Sequence, residues 1–489
     1  MKPILCIPSS LCLAASCFSA FLLLAIPGCA TKSSTVGANV GATEDKQLQA
    51  GMAEVDITPP IGFRMAGYFY ERFSTATHDP LMAKALVLRQ GREEVAMVFC
   101  DLVGLSLHVT AKARALASQQ TGIPVSHIVI AATHSHTGPL FDDVRGDFFH
   151  QTALAKTGDD SHQTIDYPAF LTGQLVKAIV LARSKLGPAE LDAGIAPQPG
   201  LAFNRRYYMK DGTVRFNPGI LNSNIVAPAG PTDPTVSMLI VKSRERQQAI
   251  GGLTVFAMHC DTIGGTKFSA DYPCFIQQTL RKNFGPSYVS AFGAGACGDI
   301  NNIDVSKKQN YSGFDVSERL GDAIGNTVVQ NFPNLKHIAA PSLAVKSATL
   351  MLPLQTVTPF EVATAKIAMG HLDDPKTDFT MRVKTVKILD LTRRGAILPM
   401  EVQVFRLDAD TAIVCLPAEN FVEFGLAIKK ASPFKTTFVI TICNDRPAYV
   451  PTLKAFKEGS YEVLNSRVKP GGGEAMMDAA IGLLNELKQ

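Results

Sequence analysis

The sequence predicts an α/β fold, one large domain around a mixed sheet, and three observations carry that expectation. Apolar runs of strand length alternate with segments of helical spacing over residues 50–489. No internal repeat and no linker interrupts that span. Of the 489 residues, 46% are hydrophobic and 18% charged, enough apolar side chains for an extensive core. The formal net charge is +4 with no Lys/Arg block, which excludes a concentrated basic face for nucleic acid.

The N-terminus reads as a targeting segment. Lys2 supplies a thin positive region, residues 11–26 are apolar with small residues among them, and Ile26-Pro27-Gly28-Cys29 follows. Residues 1–29 are therefore expected to be a signal peptide of the bacterial lipoprotein type, with Cys29 lipidated and the protein held near a membrane. Pro27 leaves ordinary secretion open. The expected location is the periplasm, the outer membrane or the medium. A spanning helix is disfavoured because the apolar run is short and interrupted. Residues 30–49, rich in Ser, Thr and Gly, read as a flexible tether, and residues 50–489 as the catalytic domain.

The elements follow in order. Residues 52–58 form a strand stopped by the Pro59-Pro60-Ile61-Gly62 turn, and 67–77 a Tyr/Phe-rich loop. Residues 83–89 and 95–101 are apolar strands around Gly91-Arg92, and 108–120 have helical spacing. The run Ile128-Val129-Ile130-Ala131-Ala132 is a buried strand. Residues 142–163 are polar and expected as a rim loop; 167–186 are an amphipathic helix. A Lys210-Asp211-Gly212 turn leads to a strand at 213–216 and a loop at 217–234. Residues 236–242 and 250–258 are a strand pair, 272–284 a helix, 288–293 a strand and 315–332 a helix. Beyond residue 340, strands are expected at 343–354, 383–391, 400–407, 411–416 and 437–443. Helices are expected at 359–370, 419–430 and 474–487. Cys100, Cys260, Cys274, Cys297, Cys415 and Cys443 form no CxxC and lie mostly at strand ends, which favours buried free thiols over disulfides.

Four apolar strands stop at residues that bind metals or handle protons. The first runs into Thr133-His134-Ser135-His136, whose two imidazoles share one face of an extended segment. The second stops at His259, the third at Pro417-Ala418-Glu419, and the fourth at Asn444-Asp445-Arg446-Pro447-Ala448-Tyr449. If these strands share a sheet, their ends converge at one edge, where α/β proteins place their sites. Two imidazoles and a carboxylate are a common catalytic zinc set. The alternative is a set of buried polar residues satisfied by backbone carbonyls, and residue types alone leave both open.

These segments resemble the catalytic domain of the neutral/alkaline (non-lysosomal) ceramidase family. Thr133-His134-Ser135-His136-Thr137-Gly138-Pro139 is similar to its GTHTHSGP segment, and Phe256-Ala257-Met258-His259 to its FAxHP segment. Asn204-Arg205 resembles its NRS segment, Leu416-Pro417-Ala418-Glu419 its PGE segment, and Tyr461-Glu462 its YEG segment. Tyr449 and Tyr461 keep the separation of two active-site tyrosines of the family. The likeness spans about residues 50–489, and Ala53 to Gly67 and Gly471 to Leu487 resemble the family's ends. It implies a strand-end zinc ion bound by His134, His259, Glu419 and Tyr449, with His136, Arg205 and Tyr461 at the substrate. The implied activity is zinc-dependent hydrolysis of the amide bond of ceramide or another N-acyl compound. Zinc-activated water attacks the carbonyl, Tyr461 stabilises the oxyanion, and His136 delivers a proton to the leaving group.

Two departures bear on that implication. Asn301 stands where the family carries an active-site serine, and an amide is neither nucleophile nor proton-accepting alkoxide. Cys260 replaces the proline after the histidine. The resemblance is to the catalytic domain only, and no counterpart of the family's usual C-terminal immunoglobulin-like domain is expected. The alternatives are a zinc hydrolase of the same fold for an ester, peptide or carbohydrate derivative, or a non-catalytic binding homologue.

Overall fold

Strands that are apolar on both faces need cover on both sides, and this requirement sets the architecture. The computed structural model describes residues 47–489, so the expected signal peptide and most of the tether lie outside the described residues. The main sheet has nine strands. Eight run in the order Val289–Ala294, Gln248–Phe256, Thr235–Ser243, Gly187–Pro197, Gln49–Asp56, Met82–Gln90, Glu93–Cys100 and Ile128–Ala132; Lys336–His337 pairs with Gly187–Pro197. The sheet is mixed: Gln248–Phe256 with Val289–Ala294 and Glu93–Cys100 with Ile128–Ala132 are parallel, and the other pairs are antiparallel.

Side-chain alternation then builds four layers. Ala83, Ala85 and Val87 face a core with Val109, Leu171, Ile276 and Leu320. Those residues come from helices Leu107–Thr121, Tyr167–Ser184, Tyr272–Phe284 and Phe314–Asn331. Leu86 and Leu88 point the other way and join Phe405, Ile413 and Phe438. The latter belong to a second sheet of Ala344–Pro353, Ile397–Arg406, Thr411–Cys415 and Thr436–Ile440. The far face of that sheet, with Val402, Val404 and Val414, packs on Ile428 and Leu484 of helices Val422–Ala431 and Gly472–Lys488. The order is helices, sheet, sheet, helices. Each fully buried Leu, Val or Phe contributes about 1.5–3 kcal/mol over its exposed state.

The two edges of the main sheet approach one another, and the second sheet closes the gap. Beyond Thr436–Ile440 the chain continues between the edges: Thr441 N donates to Ala294 O at 2.8 Å and Asn444 N to Ile130 O at 2.7 Å. Ala132 N donates to Ile442 O, and Ala131 bridges Cys443. The carboxyl ends of Ile128–Ala132 and Gln248–Phe256, nearly a whole sheet apart in strand order, thereby become neighbours.

Several expectations need correction. Residues 383–391 are not a strand but part of helix Phe379–Arg394. Val383, Val386 and Leu391 are buried at helical spacing and Asp378 caps the N-terminus, overriding the β-branched run. The rim loop at 142–163 contains helix Val144–Thr157, capped by Asp143 and ended by Gly158 in the left-handed region. Glu419 does not begin a helix: Glu419–Asn420 is extended and pairs in parallel with Tyr449–Val450, and the helix starts at Val422. The four strands do not share one sheet, because Thr411–Cys415 and Thr436–Ile440 belong to the second. The fold also begins earlier than the expected tether boundary: Leu48 is buried and Gln49 pairs with Arg89. All six described cysteines are buried and unpaired, as expected. Among the described residues no helix is long and apolar enough to cross a membrane.

Candidate metal centre

Each converging side chain is held by its own backbone context. Ile128–Ala132 is buried throughout, and the chain turns off it at His134, whose φ of 75° lies in the left-handed region. The His134 Nδ1–H donates to Val103 O at 2.7 Å, which directs the Nε2 lone pair inward. His259 repeats the device, with Nδ1 2.8 Å from Cys297 O. Ala418 and Ala448, the residues before Glu419 and Tyr449, both have φ of 69°, so two tight turns aim the next side chains at one point.

The atoms meet at separations suited to one small cation. Glu419 Oε2 lies 3.3 Å from His134 Nε2 and 3.6 Å from His259 Nε2. Ligands about 2.0–2.1 Å from a tetrahedral zinc lie about 3.4 Å from each other. His259 Nε2 and Glu419 Oε2 are buried with no hydrogen-bond partner, a costly state that a bound cation would relieve. His136 Nε2 is 3.3 Å from His134 Nε2. The three histidines, all buried, present ligand atoms within 4.8 Å of one another and could hold a metal ion. His136 thus offers a second trio beside the one that includes Glu419.

The charge states suit the same purpose. Burial, with Arg205 and His134 nearby, depresses the His259 imidazole to about 3, leaving it neutral. His136 is likewise pushed well down by burial and the two other histidines. Burial alone would raise the Glu419 carboxyl, but His134, His259 and Arg446 hold it well below the usual carboxylate range. Arg446 Nη1 donates to Glu419 Oε1 at 3.1 Å, turning Oε2 toward the imidazoles. His136 Nδ1 lies 3.6 Å from Asp261 Oδ1, which accepts from the Tyr68 hydroxyl. A close approach fixes His136 from behind: a Cβ on Gly67, at φ 103°, would stand 2.4 Å from His136 O.

The other expected residues fall into two groups. Tyr449 and Tyr461 line the same cavity as His134, His136 and Glu419, with their rings 5.3 Å apart edge to face. Burial pushes both phenols up. Asn465 Nδ2 donates to Tyr461 Oη at 3.3 Å. Arg205 is not a free cation. Its Nε donates to Glu462 Oε1 at 2.9 Å and Nη2 to Gly298 O at 2.7 Å, while its plane lies over Phe216, Tyr449 and Tyr461. Both Arg205 and Arg206 are buried. Asn301 is buried on a two-residue strand, Nδ2 bonded to Asn217 Oδ1 and Oδ1 accepting from Ile303 N, so its amide is committed outside the convergent set. Sequence reasoning gave no role to Arg446 and Glu462. Both sit in quoted segments, beside Tyr449 and Tyr461, and a charged neighbour of a buried polar residue was the available signal.

Comparison with known proteins places the fold. No known family profile matches the chain and no curated protein matches its sequence. Among solved structures, neutral ceramidase from Pseudomonas aeruginosa superposes with a TM-score of 0.67 at 17% identity, over 91% of this chain and 75% of that one. A ceramidase complexed with C2 gives 0.68 at 15% identity with the same coverage. The chain has the neutral ceramidase fold, an α/β fold with a mixed sheet.

Proposed function

We propose that this protein is a zinc-dependent hydrolase that cleaves the amide bond of a ceramide or another N-acyl compound. One observation carries the reading: the buried Nε2 atoms of His134 and His259 and Oε2 of Glu419 converge at tetrahedral spacing, two of them without any other partner. The likeness to ceramidases supports the reaction class. His134, His259 and Glu419 would hold the ion, with Tyr449 the fourth ligand and His136 next to it. Zinc, when bound, supplies hydroxide near neutral pH and polarises a carbonyl.

The chain's own residues do the rest. Val103 O and Cys297 O keep both imidazoles in the tautomer with Nε2 free. Arg446 orients Glu419. The Tyr461 hydroxyl, which accepts from Asn465, is free to donate its proton to the oxygen that gains charge on the acyl carbon. His136, its Nδ1 facing Asp261, passes a proton to the leaving nitrogen. Arg205 acts at the substrate through the tyrosines it stacks on. Asn301 braces the loop beside His259 and contributes no nucleophile. Residues 1–29 direct export, with lipidated Cys29 and the tether that follows it keeping the domain at a membrane.

Metal analysis of the purified chain tests this reading. The expected content is about one zinc per chain, reduced at least tenfold in affinity by His259→Ala and by Glu419→Ala. His136→Ala decides between the two trios: loss of zinc places His136 among the ligands, and retained zinc with lost hydrolysis of N-acyl amides leaves it as the proton donor. A wild-type chain that takes up no zinc refutes the proposal.

A further inference from the structure

Arg446 differs from the other cations around the candidate metal centre. Its side chain is 24% exposed and lines the cavity that holds His134, His136 and Glu419. Among the described residues it donates one side-chain hydrogen bond, from Nη1 to Glu419 Oε1. The Nε and Nη2 edge is unengaged. Arg145 commits Nε and Nη2 to Asp143 and Nη1 to Tyr68 O. Arg467 commits Nε to Asp390 and Nη1 to Asn465. Arg446 lies where it does because residue 104 is glycine: a Cβ there would stand 2.1 Å from Arg446 Nε and 2.2 Å from Cδ.

Charge and size agree with one another. Arg145, Arg446 and Arg467 line the cavity; Arg145 is paired with Asp143 and Arg467 with Asp390, so Arg446 is the one whose carboxylate partner, Glu419, a metal would engage. The cavity is about 60 Å³, room for a small polar group and not for alkyl chains. Apolar grooves of about 660 and 640 Å³ lie along helices Pro359–Met369 and Phe379–Arg394, and none of the three histidines, Glu419, Tyr449 or Arg446 lines them. Arg446 stands between this cavity and an adjoining one lined by Gly104, Asp142 and Asp390; a carboxylate that reaches its Nε and Nη2 edge would pair through two parallel bonds.

We infer that the substrate is a compact N-acyl compound carrying a carboxylate a few bonds from the scissile amide, and that Arg446 is the specificity residue that binds this carboxylate. The inference rests on the reading of the site as a metal-dependent amidohydrolase. In the reaction a water oxygen bonds to the acyl carbon and the carbon–nitrogen bond breaks. Both protons of the water end on the leaving nitrogen, giving a carboxylate from the acyl part and a protonated amine, with the second carboxylate carried on the acyl product.

Calorimetric titration of the zinc-loaded full chain with three hydroxamates tests it: acetohydroxamate, succinate monohydroxamate and dodecanohydroxamate. The carboxylated probe is expected to bind roughly 10- to 100-fold more tightly than acetohydroxamate. Arg446→Gln should abolish that ratio, and Gly104→Ala, which displaces the guanidinium while keeping its charge, should reduce it. Taking the ratio within each protein cancels any change at the metal. Equal affinities for the two short probes, or tightest binding of the dodecanoyl probe, overturn the inference while leaving the metal centre intact. Failure to load zinc at all takes down the underlying reading as well.

Discussion

Glu462→Gln tests the support beneath the two tyrosines. Glu462 is fully buried and accepts from Arg205 Nε at 2.9 Å and Arg206 Nη1 at 3.1 Å. The amide keeps the shape but removes the charge between two buried guanidiniums. Two charge-assisted bonds at about 1.5–3 kcal/mol each set the scale. Arg206 retains Glu458 through Nη2 and Gly459 O through Nη1, so the loss falls mainly on Arg205. A destabilisation of about 3–4 kcal/mol follows, in the range for breaking a buried pair. An unfolding entropy of about 2.1 cal/mol/K per residue, over residues 47–489, gives roughly 0.9 kcal/mol per degree, and hence a fall in Tm of about 3–4 °C. Far-UV circular dichroism melting reads the shift. The near-UV signal, which comes from Tyr and Phe because the chain has no Trp, should weaken as Arg205 loosens from Tyr449 and Tyr461. Glu486→Gln, at the exposed pair with Lys346, is the control and should move Tm by less than about 0.5 °C. A shift for Glu462→Gln no larger than the control's would refute the idea that this buried triad holds the tyrosine wall.

Two more predictions concern strain and pH. Ala418 is buried with φ at 69°, so Ala418→Gly trades about 1 kcal/mol of strain relief against a lost methyl and added backbone freedom, ending within about 1 kcal/mol of wild type; Ala418→Val should cost about 3 kcal/mol or more, both read from urea midpoints. Burial lifts the Asp299 carboxyl to about 6 despite hydrogen bonds from Val422 N and Asn204 Nδ2. The native state therefore keeps a proton that the unfolded chain releases near pH 4, and this stability is present below pH 4 and lost as pH rises through 6. The gap in unfolding free energy between wild type and Asp299→Asn should shift in the variant's favour by about 2 kcal/mol from pH 4 to pH 7; a gap independent of pH would refute it.

Much of the fold was legible because buried strands announce themselves as apolar runs, and most strands of the two large sheets were readable that way, though not Gly187–Pro197, whose run is broken by Gly, Pro and acidic residues. Residues 383–391 were not: a β-branched stretch imitates a strand, and only packing on both neighbours shows the helical face. The candidate site was legible as residue types at strand ends, since Glu419 meets His134 and His259 at 3.3 and 3.6 Å and pairs with Tyr449 along the backbone. What was hidden is how they meet. The convergence depends on the closing of the main sheet by Thr441 to Asn444, a contact between segments some 300 residues apart that no local pattern encodes. Arg446 was hidden for the same reason, because its partner Glu419 and its bed, Gly104, come from other parts of the chain.

The six buried, unpaired cysteines among the described residues have a consequence for how the folded domain meets redox conditions. Burial pushes the thiols of Cys100, Cys260, Cys297 and Cys443 well up, so they are neither nucleophilic nor ready to capture a metal meant for the histidines. The native described domain has no crosslink to form and no exposed thiol to protect. Once folded, it should keep the same state in a reducing or an oxidising medium, with the same urea midpoint whether or not dithiothreitol was present before unfolding. A chain built this way carries its folding instructions across compartments unchanged.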